Sequence, residues 1–305
     1  MCFFRLALGL LLLLLSCSAL AQQLEPRAYS PSPVGTSFLV VGFARSTGGV
    51  TIDPTVPVAD INAKLNAPFV GVGKTFGLFG RQSLIAGVLP YVWGEVSGSV
   101  AEQSRSVTRS GLADAGFRLA VNLVGSPALR PKEFAAAPHQ NFILAASLAV
   151  TTPTGQYDPA KLINLGTNRW AFRPELGFSR PIKKLSLDLY GAAQFFTANN
   201  SFFPGKSIRD QDMLTSLQAH LSYTVRRGLW VAFDSTWYGG GATRLNHGPA
   251  TSRQSSTRLG GTVSLPIGRT QSVKFAYSSG VTARFGSNFD TIAVSWQYVR
   301  LSRDR

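Results

Sequence analysis

Cysteine is almost missing from this chain. Its only two, Cys2 and Cys17, fall within the first 21 residues. Those residues read as a secretory leader: Arg5 supplies a positive start, Leu6 to Leu15 an apolar run, and Ala19-Leu20-Ala21 a small-residue cleavage site. Cleavage after Ala21 leaves a mature chain without a disulfide, a thiolate nucleophile or a cysteine metal ligand. Leu14-Leu15-Ser16-Cys17 also resembles a lipoprotein processing site, which would instead leave Cys17 acylated. Acidic residues are scarce too, 15 against 30 basic ones, and the net charge is +15. Lysine and arginine are scattered, with no basic helix or binding motif, so nucleic acid is not an expected partner. Beyond the leader there is no apolar run of the roughly 18 residues that a membrane helix needs. Histidine is limited to His139, His220 and His247, too dispersed to suggest a metal site. No phosphate-binding loop or dinucleotide fingerprint appears, and no cofactor is expected.

The chain is instead rich in period-two alternation. In RWAFRPELGFS (169–179), Trp170, Phe172, Leu176 and Phe178 share one face, and Arg169, Arg173, Glu175 and Ser179 the other. Leu217, Ala219, Leu221, Tyr223 and Val225 alternate with Gln218, His220, Ser222 and Thr224. Phe117, Leu119, Val121 and Leu123 alternate with Arg118 and Asn122. Val273, Phe275 and Tyr277 alternate with Lys274 and Ser278, and Ile292, Val294, Trp296 and Tyr298 with Ser295 and Gln297. Many of these segments approach ten residues, the length of a tilted strand crossing a bilayer. An apolar outside and a polar inside reverse the pattern of a soluble barrel.

Twelve segments are expected, near 36–45, 67–79, 83–96, 111–124, 140–152, 169–180, 184–197, 211–225, 229–241, 254–265, 271–281 and 289–300. The second and third alternate poorly. Tight connections (80–82, 181–183, 226–228, 266–270) mostly alternate with long ones (46–66, 97–110, 153–168, 198–210, 242–253), with 125–139 and 282–288 as exceptions. The fold class is therefore all-β, a transmembrane antiparallel up-and-down barrel of about twelve strands over 36–300. Residues 22–35 are expected as a periplasmic N-terminal segment and 301–305 as a tail. Pro90 and Pro174 each remove a ladder donor, which suggests bulges or local irregularity. The expected location is the cell outer membrane of a Gram-negative bacterium. The expected partners there are outer-membrane lipid, lipopolysaccharide and the barrel-assembly machinery, and Trp296 and Tyr298 supply a terminal aromatic signal for that machinery.

The blocks TPTGQYDPAKLINLGTNRWAFRPELGFS (152–179), RSGLADAGFRLAVNLVGSPAL (109–129), DQDMLTSLQAHLSYTVRRGLW (210–230), RQSSTRLGGTVSLPIGRTQSVKFAYSSG (253–280) and GSNFDTIAVSWQY (286–298) resemble a family named for the MetA pathway of phenol degradation. Its members are regarded as outer-membrane barrels and often labelled transporters. Ala113 departs from the Gly-Leu-Gly-Asp run that the resemblance leads one to expect, which implies a different turn or strand start. The resemblance implies an association with aromatic-compound degradation and assigns no binding residue.

Parity places Asp114, Arg118, Arg173, Glu175, Asp188, Gln194, Gln218, His220, Asp234, Arg258 and Lys274 as lumen-lining candidates. Opposed charges there either line a water path, for a channel or transporter of small molecules, with aromatic or hydrophobic solutes as the class the resemblance suggests, or plug the lumen of a structural or adhesion-type barrel. A barrel of about eight strands fills with side chains and one of 16–18 leaves a channel, so twelve admits both. A soluble periplasmic β-protein is the third reading. The loop 152–168 either folds inward to constrict the barrel or stays external. Phe195, Phe196, Phe202 and Phe203 form either a greasy mouth or part of an interfacial girdle. An enzyme is not expected. Ser222 and His220 point inward, away from lipid, and no nucleophile–base–orienter set assembles.

Overall fold

The computed structural model describes residues 25–51, 58–100, 103–138, 141–283 and 286–301. The stretch expected as a leader, with Cys17, and also His139 and the residues beyond Leu301 lie outside the described residues. The first strands are β1 (Ser37–Thr51), β2 (Val58–Leu78), β3 (Arg81–Val100), β4 (Gln103–Leu112) and β5 (Gly116–Val124), followed by a short helix α1 (Pro131–Ala136). Then come β6 (Ile143–Thr151), β7 (Ala171–Ile182), β8 (Leu185–Phe196), β9 (Asn199–Phe202), β10 (Ser207–Gln211) and β11 (Leu214–Arg226). The last are β12 (Leu229–Gly240), β13 (Thr243–Leu245), β14 (Gln254–Ile267), β15 (Gln271–Ala283) and β16 (Gly286–Arg300).

All pairings are antiparallel. The main sheet runs β2-β1-β16-β15-β14-β12-β11-β8-β7-β6-β5-β3-β4, and the β2–β3 pairing closes it into a barrel. The first and last strands pair without a register shift, from Ser37↔Arg300 to Thr51↔Gly286. β4 and β5 form one stave interrupted at 113–115, so the barrel has twelve staves. Each expected segment overlaps one of them. Closure leaves no open sheet edge in lipid, where unpaired backbone groups are costly. Among the described residues no helix is long and apolar enough to cross a membrane.

The two prolines act as expected, locally. Pro90 sits where the partner of β3 changes from β5 to β4, opposite the interruption. Pro174 stays in register with Leu148 of β6, while the β8 ladder lapses between Phe172↔Phe195 and Glu175↔Ala192. At Pro90 the register slips by one residue, from Val88↔Gly116 to Tyr91↔Leu112, whereas at Pro174 it does not shift. The two-residue β2–β3 turn is made by Phe79 and Gly80, both with positive φ, the conformation that lets a tight hairpin follow the twist of its strands.

Several expected loops are strand. β2 is 21 residues long and β3 is 20, about twice what a hydrocarbon core requires, so these strands rise well past it at the long-loop end. Expected loops 198–210 and 242–253 contain β9, β10 and β13, which build a separate three-stranded sheet over that end.

The faces obey the alternation. Leu176, Leu217, Leu221, Phe233, Phe275 and Ile292 are exposed on the outside, and Glu175, Asp188, His220, Ser222, Asp234 and Thr236 are buried inside. An arginine or lysine on the lipid face at mid-depth would cost about 2–4 kcal/mol, which explains why the outward set is apolar. β2 and β3 alternate poorly for a structural reason: their inward face is apolar as well. Val70 and Val72 point out, while Phe69, Gly71 and Gly73 point in. Ile85 and Leu89 point out, while Leu84, Ala86 and Val88 point in, beside inward-facing Ala120, Arg118 and Gly116 of β5. Phe38, Val40, Gly42 and Ala44 of β1 continue this wall.

Candidate functional site

The lumen is two-sided, with the apolar wall of β1–β3 facing a polar wall carried by β5–β15. Glu175 is the centre of the polar wall. Its Oε1 accepts from Arg118 Nη2 at 3.0 Å and from the Tyr29 hydroxyl at 2.8 Å, and its Oε2 accepts from Arg173 Nη2 at 2.6 Å. A second cluster surrounds His220. Its Nδ1 lies 2.7 Å from Asp234 Oδ1, its Nε2 lies 3.2 Å from Gln218 Oε1, and Asp234 Oδ2 accepts from Thr262 at 2.7 Å. Asp188 stands across the register from His220 and Ser179. Arg258 donates to Ser278 Oγ at 2.9 Å. Lys274 lies 5.8 Å from the Trp230 ring.

Arg118, Arg173, Glu175, Asp188, Gln218, His220, Asp234, Arg258 and Lys274 therefore all stand on inward faces. Asp114 does something else. It lies in the interruption between β4 and β5, where its carboxylate accepts from Gly155 N at 2.8 Å and from Thr167 N and Oγ1 at 2.8 and 2.6 Å. It ties the 152–170 loop to the wall. Leu165 from that loop is buried with Ala67, Val92 and Ala113, so the loop folds inward and narrows the mouth beside β1–β3. Gly155 and Gly166 make this possible: a Cβ on Gly155 would stand 2.7 Å from Gly166 Cα and 2.8 Å from the backbone of Ala113. Ala113, the departure from Gly-Leu-Gly-Asp, opens the interruption and packs against Leu165.

The four phenylalanines do not form one cluster. Phe195 is exposed on the outer face in register with Phe172. Phe196 faces inward beneath Arg169, whose guanidinium lies 4.3 Å above its ring. Phe202 is buried under Arg209 at 5.5 Å in the loop sheet, and Phe203 is partly exposed beyond it. Adjacent aromatic residues on a strand face opposite ways, so nearness in sequence did not bring them together. In the loop region burial presses the Arg209 guanidinium down to about 10, and the Asp158 carboxyl is held below its usual value chiefly by a hydrogen bond from Lys161.

Alternation gave no sign of the groups that fill the polar half. Residues 25–32 run inside the barrel, from near mid-lumen at Glu25 towards the short-turn end at Ser32. Arg27 donates to Ser222 Oγ at 2.8 Å and Thr224 Oγ1 at 2.6 Å and stacks on Trp230 at 4.8 Å. Ala28 N donates to the Tyr190 hydroxyl at 3.1 Å. The Tyr29 hydroxyl meets Ser147 as well as Glu175, its carbonyl accepts from Asn122, and its ring meets Tyr190 edge-on at 5.2 Å. Ser32 N donates to Gln82 Oε1 at 2.8 Å. β7 is shaped for this segment: a Cβ on Gly177 would stand 2.3 Å from the Tyr29 ring. The only available signal was compositional, since Glu25, Arg27 and Tyr29 crowd one short stretch ahead of β1.

Ser222 Oγ is occupied by Arg27, and His220 Nε2 faces an amide oxygen and not a hydroxyl. Among the described residues no group of three His, Cys, Asp or Glu side chains is placed to hold a metal ion.

Comparison with known proteins agrees with this geometry. No curated protein sequence matches the chain. An outer membrane channel from Pseudomonas putida F1 superposes with a TM-score of 0.75 at 20% identity, over 91% of this chain and 100% of that one. The transport unit of the autotransporter AIDA-I from Escherichia coli gives 0.54 at 11%, over 91% and 93%. The β-domain of the Bordetella autotransporter BrkA gives 0.51 at 10%, over 87% and 99%. These likenesses are of fold. A family model described as "Putative MetA-pathway of phenol degradation" matches residues 45–296, most of the chain, and the protein belongs to that family.

Proposed function

We propose that the protein is an outer-membrane channel for small molecules, with its long loops outside the cell and its short turns in the periplasm. The observation that carries this reading is Val88, an apolar side chain on the inward face that keeps 38% of its surface exposed. Residues 25–32 occupy the polar half of the lumen and leave the wall at Val88 open beside them. A path bounded by Phe38, Val40, Phe69, Gly71 and Val88 suits solutes with apolar bodies, in keeping with the family's link to aromatic compounds. Lysine and arginine on the loops would meet lipopolysaccharide phosphates, and the Trp296–Tyr298 stack on the last strand suits recognition by the assembly machinery.

The same N-terminal segment favours a second reading, a structural or adhesion-type barrel whose lumen is permanently plugged. An enzyme is not favoured, because His220 is enclosed in a satisfied polar network. Single-channel recording in planar bilayers separates the two barrels. The intact protein is expected to give small, discrete openings that vary with salt. Silence at every salt and voltage, from protein shown to be inserted, would exclude an open pore.

A further inference from the structure

Glu25 does not belong to the barrel wall, yet its carboxylate sits where the wall is most positive. Its Oε2 accepts from Arg118 Nη1 at 2.7 Å, and it lies within Coulombic reach of Arg173 and Lys274. The acids of the wall around these cations are already engaged. Glu175 holds Arg118, Arg173 and Tyr29, and Asp234 holds His220 and Thr262. Without Glu25, Arg118, Arg173 and Lys274 would face only two wall carboxylates, Glu175 and Asp234, both already hydrogen-bonded. The two acids also differ in burial: the Glu25 side chain is 47% exposed, the Glu175 side chain 6%. An exposed charge-assisted hydrogen bond is short and directional but weak against competition, so Glu25 is exchangeable where Glu175 is not.

The apolar wall begins beside this site. Arg118 is in register with Ala86, and Val88 is the next inward residue along β3. Gly71 and Gly73, in register with Val88 and Ala86, leave flat space on β2. We propose that Arg118, Arg173 and Lys274 form a lumenal site for a small organic carboxylate with a flat apolar body, occupied at rest by Glu25 as an internal substitute. A solute carboxylate takes over the Arg118 bond while its ring lies on Ala86 and Val88, and the N-terminal segment loses its anchor at Glu25. The site deepens the channel reading by naming a solute class for that lumen.

The test is calorimetric titration of full-length protein in lipid nanodiscs with sodium benzoate, and with benzamide as the neutral analogue of the same shape. Glu25→Gln removes the internal competitor and is expected to bind benzoate about tenfold or more tightly than the wild type. Benzamide is expected to show no such gain, and Lys274→Gln, placed on the Glu25→Gln background, to reverse most of it. Equal affinity of wild type and Glu25→Gln for benzoate, or equal gains for benzoate and benzamide, would overturn the proposal. The readout does not depend on conduction. A barrel with this binding pattern that carries no current would refute the channel and leave the site standing; one that conducts but binds benzoate and benzamide alike would do the reverse.

Discussion

Deleting residues 25–32 should at least roughly double single-channel conductance. Hydrogen bonds and ring contacts from this segment reach seven staves, β3, β5, β6, β7, β8, β11 and β12. It therefore lines about half the circumference of a barrel whose bore is set by twelve strands, and removing it frees a comparable share of the cross-section. The barrel itself should survive, because its ladder closes through β1 and β16 independently of the segment. Gly177→Leu offers the same outcome without shortening the chain, since its side chain would occupy the space of the Tyr29 ring. Both variants should conduct alike in planar bilayers. Wild-type conductance in both would mean that the segment does not limit the path.

Glu175→Ala should produce the largest loss of stability for one side chain. The substitution takes from Arg173 its carboxylate partner, leaves Arg118 with Glu25 alone and leaves the Tyr29 hydroxyl with Ser147 alone. Breaking a buried ion pair from one side costs about 3–5 kcal/mol, and partial exposure of both arginines to the lumen argues for the lower end, about 3 kcal/mol. Glu175→Gln keeps an acceptor oxygen and should cost about half as much. Urea unfolding in phospholipid vesicles, followed by tryptophan fluorescence, measures both. A loss below about 0.5 kcal/mol for Glu175→Ala would mean that water in the lumen already solvates the two arginines.

The twelve staves were legible in the sequence because lipid favours apolar outward residues and strand geometry spaces those residues by two. The inward set was legible for the same reason, which is why Arg173, Glu175, His220 and Asp234 were placed on the correct face. The weak signal in the second and third segments had a cause of its own. Phe69, Gly71, Ala86 and Val88 face the lumen, so inside and outside are both apolar there and the period disappears. The least regular stretch of sequence was thus the apolar side of the passage. Residues 25–32 were invisible to periodicity because they have none; their order comes from contacts spread over seven staves. That Asp114 holds the inward-folded 152–170 loop was not legible, because alternation carries no sign of a loop contact. The phenylalanines were grouped by sequence distance, which strand geometry overrides.

A water-accessible passage along the β1–β3 wall can be tested by cysteine scanning. With both native cysteines within residues 1–21, an introduced thiol would be the sole target in the barrel wall. Val88→Cys places it on the inner wall. Leu176→Cys places it on the outer face, at a position that is more exposed in the fold, 63% against 38%, but faces lipid. A charged, membrane-impermeant methanethiosulfonate reagent applied during single-channel recording should reduce the current through Val88→Cys in discrete steps and leave Leu176→Cys unchanged. An unaltered current from a Val88→Cys protein that conducts, or equal effects on the two variants, would contradict a passage along that wall.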